Sequence, residues 1–361
     1  MTSLASPLSL RCGATLPHRV ALAPLTNLQS NSDGTLHEDE FRWLTRRAGS
    51  FSLVSTCAAY VSDEGKAWDG QLGIAGKQHE PGLARLATAI GETDSLGLVQ
   101  LHHAGAKATE AEVKLSTEDD AEAGVRGATP SDLERVTDAF VAAARRAERA
   151  GFAGVEVHGA NGYLFTQFLA PLDNKRTDEY GGDLDGRARF LRETMHAVRA
   201  STSSSFIVGV RISPVDTWDR RGLTLADARP LVASLAEDGA DYVHLSLRDA
   251  AGSAPFEDSA QPVVTQLREA LPSEVALLAA GGVWTRADAQ AVRECGADVV
   301  VVGRAAIAHP DWPSDIDDPS FSPKRPPWGP QMLRNAAVGA DLLTYLERFP
   351  GMVEGGTPAR S

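Results

Sequence analysis

A histidine, a carboxamide and a phenol fall close together in the chain as His158, Asn161 and Tyr163. An imidazole and an amide side by side offer two hydrogen-bond donors to one oxygen on which negative charge develops. A phenol of ordinary pKa, about 10, is protonated at neutral pH and can hand a proton on. The competing reading is structural: a histidine satisfied near a strand end and a tyrosine that packs its ring. A second group is Arg211, which closes the apolar run Phe206-Ile207-Val208-Gly209-Val210, and Gln100, which follows Leu98-Val99. A permanent cation and an amide that both donates and accepts suit a planar heterocycle with carbonyls and ring nitrogens. Here the alternative is an internal ion pair between Arg211 and a carboxylate such as Glu156. A third group, Gly281-Gly282 and Gly303-Arg304, places glycines where a ligand can approach backbone N–H groups, with a bidentate donor for a phosphate beside them. Two tight turns and an ordinary ion pair would explain the same residues.

Such groups react together only if the fold gathers them. Eight short apolar, β-branched runs recur along the chain: Arg19–Ala23, Phe51–Cys57, Leu96–Leu101, Gly154–Val157, Phe206–Arg211, Asp241–Ser246, Val275–Ala280 and Asp298–Val302. They lack clean alternation, as parallel strands covered on both faces do. Helical segments separate most of them. The clearest spans Ser131 to Ala150, with Leu133, Val136, Phe140, Ala143, Ala147 and Ala150 on one face, Thr129-Pro130 at its start and Gly151 at its end. Leu225–Glu237 and Arg286–Glu294 are closed in the same way by Gly239 and Gly296. The pattern predicts a (β/α)8 barrel in a single domain over residues 1–361. An open doubly wound sheet is the rival, but no G-x-G-x-x-G follows an early strand, and the polar residues sit after many strands rather than at one switch point. Lys107–Ala128 reads as a surface excursion. His309–Pro330, with seven prolines, reads as irregular. A final helix is expected from Met332 to Arg348, and this extension, 309–361, is expected to pack on the barrel or on a neighbouring copy in a homo-oligomer.

Composition narrows the function classes. The 361 residues are 43% hydrophobic and carry a net charge of −13, which argues against nucleic acid or an anionic membrane as partner. No apolar run nears a membrane span, and the amino terminus shows no secretory signal. Cys12, Cys57 and Cys295 are far apart and form no CxxC, so they read as reduced thiols in a cytoplasm, without zinc or an iron–sulfur cluster. His102, His158 and His244 all follow strands, yet a metal hydrolase would leave the glycine–arginine site without purpose. No strand end carries the lysine of a Schiff-base aldolase.

The longest informative string is Gly154-Val155-Glu156-Val157-His158-Gly159-Ala160-Asn161-Gly162-Tyr163-Leu164. It continues through Gln167-Phe168-Leu169 and Asn174-Lys175-Arg176-Thr177-Asp178-Glu179-Tyr180-Gly181-Gly182. With Arg19 to Thr26, Gln100 to Gly105, Val210 to Pro214 and Gly303-Arg304, it resembles the Old Yellow Enzymes, flavin-dependent ene-reductases also called NADH:flavin oxidoreductases. The resemblance runs from Leu16 to about Pro310. It implies a non-covalently held FMN at the barrel mouth. Pro24, Leu25 and Thr26 would line its reactive edge, Ala58 and Gln100 would meet the ring, and Arg211 would sit beside its N1/C2 carbonyl side. Gly281, Gly282, Gly303 and Arg304 would hold the phosphate.

The implied reaction is ping-pong: NADH or NADPH gives a hydride to the flavin and leaves, and an enone or enal takes its place. His158 and Asn161 would bind the carbonyl oxygen of this small-molecule substrate, and Tyr163 would protonate the α-carbon while the β-carbon receives hydride. The chain departs from the family at Ala106, where many relatives carry arginine, and at His102, where some carry a bulky aromatic. Thr26 stands where a subset has cysteine. The rival within the same fold is a flavin carrier or sensor with little turnover.

Overall fold

The computed structural model describes residues 3–215, 222–255, 259–318 and 320–356. All eight expected runs form parallel strands: β1 (Val20–Leu22), β2 (Leu53–Tyr60), β3 (Leu96–His102), β4 (Gly154–Gly159), β5 (Ile207–Ile212), β6 (Tyr242–Ser246), β7 (Ala276–Ala280) and β8 (Val299–Val302). Each pairs with the next, and β8 returns to β1, which closes the barrel. Every residue of β2, β4, β5, β7 and β8 is buried, because helices cover the outer face while side chains fill the inner one.

The surrounding helices are α1 (Glu38–Thr45), α2 (Glu80–Gly91), α3 (Pro130–Ala150), α4 (Leu164–Leu169), α5 (Leu184–Ser201), α6 (Leu225–Glu237), α7 (Val263–Ala270) and α8 (Arg286–Glu294). Their ends follow from local chemistry. The Thr129 hydroxyl accepts from the Asp132 N–H, the Asp132 carboxylate accepts from the Thr129 N–H, and Gly151 leaves α3 at φ +95°. Thr224 with Asp227 and Thr285 with Asp288 build the same reciprocal cap on α6 and α8. Each cap stabilises its helix by about 1 kcal/mol.

Inside the barrel, every second residue of a strand points to the axis. Leu53, Leu98, Ile207, Tyr242, Leu278 and Val299 form an apolar layer. Leu10 and Leu16 join that layer from a small antiparallel hairpin, Leu8–Ser9 with Thr15–Leu16. The hairpin had no sequence signal, since two-residue strands are too short to show a period. Gly209 is required by the ring of Tyr242: a Cβ at position 209 would lie 2.0 Å from Tyr242 Cζ. Gly209→Ala is therefore expected to cost roughly 1–3 kcal/mol, seen as a lower urea midpoint. An unchanged midpoint would mean that the ring yields freely.

Three expectations need correction. The second strand runs past Cys57 to Tyr60 through a register shift between Ser55 and Ala58, so Ala58 lies within the strand, opposite Gln100, and not beyond it. The proline-rich stretch is not wholly irregular. After α9 (Arg304–Ala308) it contains α10 (Trp312–Asp315), whose Pro313 sits in the first turn, where no N–H is missed; Pro319 lies outside the described residues. The single final helix is two, α11 (Pro330–Asn335) and α12 (Ala340–Glu347), parted where Ala337 turns to φ +59° and Gly339 caps α12.

This extension lies against its own barrel. Trp312 Nε1 donates to the Trp284 carbonyl at 2.8 Å, and the Gly339 N–H donates to Gln29 Oε1 at 2.9 Å. Buried Arg47 gathers the carbonyls of Trp43, Ala306, Ile307 and Ala336. Among the described residues, no helix is long and apolar enough to cross a membrane.

Candidate active site

Above the apolar layer the inward positions turn polar. Buried Glu156, on β4, accepts from Gln100 Nε2 at 2.7 Å, from the Tyr242 hydroxyl at 3.0 Å and from His244 Nδ1 at 2.9 Å. Burial pushes the Glu156 carboxyl up, but His244, Arg211 and Gln100 together hold it below the ordinary carboxylate value. The hydrogen bonds to the carboxylate thus come from neighbours other than Arg211. That guanidinium instead donates to the Ser246 hydroxyl at 3.0 Å and to the Pro24 carbonyl at 3.4 Å, and its buried Nε has no partner. The direct Arg211–Glu156 pair considered from sequence does not form. Gln100 is also less free than expected: its NH2 is committed to Glu156, which leaves the carbonyl oxygen as its contribution to the mouth.

One layer higher, His158 and Tyr163 meet at the rim. Their ring centroids are 5.3 Å apart and perpendicular, and His102 packs edge to face on Tyr163 at 4.4 Å. The Ala160 N–H donates to His158 Nδ1 at 3.3 Å, which places the imidazole proton on Nε2. Burial, with the Arg211 charge second, pulls the His158 pKa to about 3. His158 is therefore a neutral N–H donor at working pH. Burial, with Tyr345 second, raises the Tyr163 pKa and keeps that phenol protonated.

The wall behind Tyr163 is fixed by Gln71 and Trp68, which the sequence reading gave no role. Gln71 Oε1 accepts from the Ala67 N–H, so its amide nitrogen faces the Ala58 carbonyl and His102 Nδ1, at 2.8 and 3.1 Å. His102 thus carries its proton on Nε2, turned toward the rim cluster. The Trp68 ring closes the group, 6.5 Å from Tyr163, and Lys107 Nζ lies 5.3 Å from the Tyr163 centroid.

Burial pushes His102, His158 and His244 all below 6.5. A lowered folded pKa means that the unfolded chain takes up protons which the fold refuses. Stability is then full above pH about 6.5 and is lost as pH falls toward about 3, the His158 value, at up to ~1.4 kcal/mol per histidine per pH unit. Urea midpoints at pH 7 and pH 5 should differ accordingly; equal midpoints would mean these imidazoles titrate normally.

Asn161 reaches the site by a hook. It and Gly162 adopt φ of +62° and +75°, a left-handed pair that asparagine tolerates better than other side-chain residues. The turn carries the amide over β5 and β6 instead of over its own strand. There Oδ1 accepts from the Ser246 hydroxyl at 3.1 Å, and the Asn161 N–H donates to Ser213 Oγ at 3.0 Å. A cleft of about 1150 Å³ opens from this point, lined by Lys107, Asn161, Gly162, Gln167, Ser213 and Ser246 among others.

The opposite side of the mouth is built by β1, β7 and β8. A Cβ on Gly303 would make ordinary contacts with Leu25 Cδ2 at 3.6 Å and Ala23 Cβ at 3.7 Å, so packing alone does not require glycine there. Gly281 and Gly282 turn at φ +152° and +71°. Arg304 is exposed, and among the described residues no carboxylate lies within ion-pair distance of it, which removes the simplest structural explanation for that arginine. Half-buried Thr26 follows Pro24 and Leu25 in a loop that is tied down below: buried Glu40 accepts from Asn27 Nδ2 at 3.1 Å and from the Ser30 hydroxyl.

The arrangement is a mouth with one cationic corner, glycine turns after β7 and β8, and a rim of neutral donors. Residues 3–319 match the NADH:flavin oxidoreductase / NADH oxidase family. A probable NADH-dependent flavin oxidoreductase, YqiG, of Bacillus subtilis (strain 168) is 36% identical over 323 residues, 86% of each chain. An NADH:fumarate oxidoreductase of Klebsiella pneumoniae (strain 342) is 33% identical over 86% of this chain but only 35% of its own length. Among solved structures, morphinone reductase in complex with tetrahydroNAD superposes with a TM-score of 0.79 at 26% identity, over 94% of this chain and 95% of that one. The barrel with this mouth belongs to the NADH:flavin oxidoreductase / NADH oxidase family, the Old Yellow Enzymes, and is an FMN-dependent oxidoreductase that draws on NADH or NADPH.

Proposed function

We propose that the protein reduces the C=C bond of α,β-unsaturated carbonyl compounds. The observation that carries this reading is the meeting of a neutral His158 donor and a protonated Tyr163 at one rim, with the unpartnered Arg211 Nε on the adjoining strand. The mouth fits FMN. Arg211 Nε is a buried donor that lacks an acceptor, nothing around Gly303 requires a glycine for packing, and Arg304 is an exposed cation with no carboxylate beside it among the described residues. Arg211, Gln100, Pro24, Leu25 and Thr26 would hold the ring beside Ala58, and Gly281, Gly282, Gly303 and Arg304 the phosphate. When bound, the group supplies hydride chemistry replenished by NAD(P)H.

The residues do the rest. His158 Nε2–H and the Asn161 amide bind the substrate oxygen and draw charge toward it. Their contribution grows as the oxygen becomes enolate-like, so it lowers the barrier more than it tightens binding. Tyr163 holds its proton until the α-carbon is basic enough to take it. Trp68 and His102 wall off that side of the rim.

The purified holoprotein should be yellow, bleach anaerobically with NADH or NADPH, and regain its colour with 2-cyclohexenone. If no member of a broad enone panel restores the colour, the carrier reading takes over.

A further inference from the structure

Ser246, the last residue of β6, stands between two groups that the proposed reaction uses separately. Its Oγ accepts from Arg211 Nη2 at 3.0 Å and lies 3.1 Å from Asn161 Oδ1. A guanidinium can only donate, so the Ser246 hydroxyl proton is free to point onward, and the Asn161 oxygen is the acceptor it meets. Ser213 repeats the logic from β5: its Oγ accepts from the Asn161 N–H at 3.0 Å, and its own proton is turned to the same Oδ1 at 3.4 Å. Two hydroxyl protons therefore converge on one face of a carboxamide. The amide of an exposed asparagine would otherwise rotate between two nearly equivalent orientations, only one of which presents NH2 to a substrate oxygen.

We propose that Ser246 is a positioning residue which locks the Asn161 carboxamide with its oxygen inward and its NH2 outward, and so joins the arginine at the flavin corner to the amide at the substrate rim through one hydroxyl. This rests on the proposed role of Asn161 as a donor to the substrate. The lock explains why the chain spends a strained left-handed turn at Asn161: without it the side chain would not reach β5 and β6. Ser213, paired to the Asn161 backbone, holds the hook in place, while Ser246 decides which end of the amide faces out.

The test uses the FMN-loaded protein, reduced with NADH, and compares two oxidants: 2-cyclohexenone, which needs its oxygen bound, and ferricyanide, which does not. Ser246→Ala should slow recolouring by the enone on the order of tenfold, the value of one ordinary hydrogen bond, and leave recolouring by ferricyanide unchanged. Ser246→Thr, which keeps the hydroxyl, should recover most of the loss. In an Asn161→Ala background, Ser246→Ala should have no further effect on the enone rate. Equal slowing with both oxidants would show that Ser246 acts through Arg211 alone, and independent effects of the two substitutions would separate Ser246 from Asn161; either result overturns the proposal. Should the wild-type protein ignore enones altogether, the proposed function fails by itself. The lock is then judged by a neutron structure of Ser246→Ala, which distinguishes the amide oxygen from NH2: an Asn161 amide in its original orientation refutes it and a rotated one upholds it.

Discussion

Tyr163→Phe protein loaded with FMN is expected to bleach with NAD(P)H at the parental rate and to recolour with an enone some 10²- to 10⁴-fold more slowly, the usual value of a positioned general acid. The asymmetry follows from where the phenol sits. Its ring is clamped by His102, His158 and Trp68, and phenylalanine fills the same volume, so the wall is kept and only the proton is lost. Reduction by nicotinamide needs no proton from this residue. Because burial holds the Tyr163 pKa above 10, the parental rate of recolouring should be flat through neutral pH and decline only in strongly alkaline buffer. Stopped-flow absorbance of the two half-reactions decides the matter. Equal slowing of both would mean that Tyr163 shapes the pocket and supplies no proton.

His158→Ala should lower the maximal rate of recolouring by about 10²–10³, the loss expected for one donor to a developing oxyanion. The imidazole donates in its neutral form. With a pKa near 3, it offers the same Nε2–H from pH 5 to pH 9, so the parental profile should show no limb near 6.5. A limb at that pH, absent from the variant, would mean that the charged imidazole is the active species. The double variant with Asn161→Ala should lose less than the product of the single losses, because both donors serve one oxygen.

Much of this architecture is legible in the residues. Each barrel strand lies in a short, largely apolar run between turn residues, several of them β-branched, and Thr129-Pro130 and Gly151 mark the ends of α3 to within a residue. The site residues are visible because they are polar groups placed after apolar runs. The inner ladder was harder to see. Leu98-Gln100-His102, Gly154-Glu156-His158 and Tyr242-His244-Ser246 each step from apolar or small to polar at every second residue, but the intervening outward residues are apolar too, because helices cover them. A period of two is hidden when both faces are buried. The ties that orient Asn161 could not be read at all, since Ser213 and Ser246 lie 52 and 85 residues away and become neighbours only when β4, β5 and β6 align. The expected final helix forms as two because of a break at Ala337, a residue whose type gives no hint of a left-handed turn.

The hairpin of Leu8 to Leu16 corks the lower end of the cylinder with Leu10 and Leu16. With Leu53, Leu98, Ile207, Tyr242, Leu278 and Val299 it completes a dry, packed floor, so a ligand can be received only on the upper face, where the polar ladder begins.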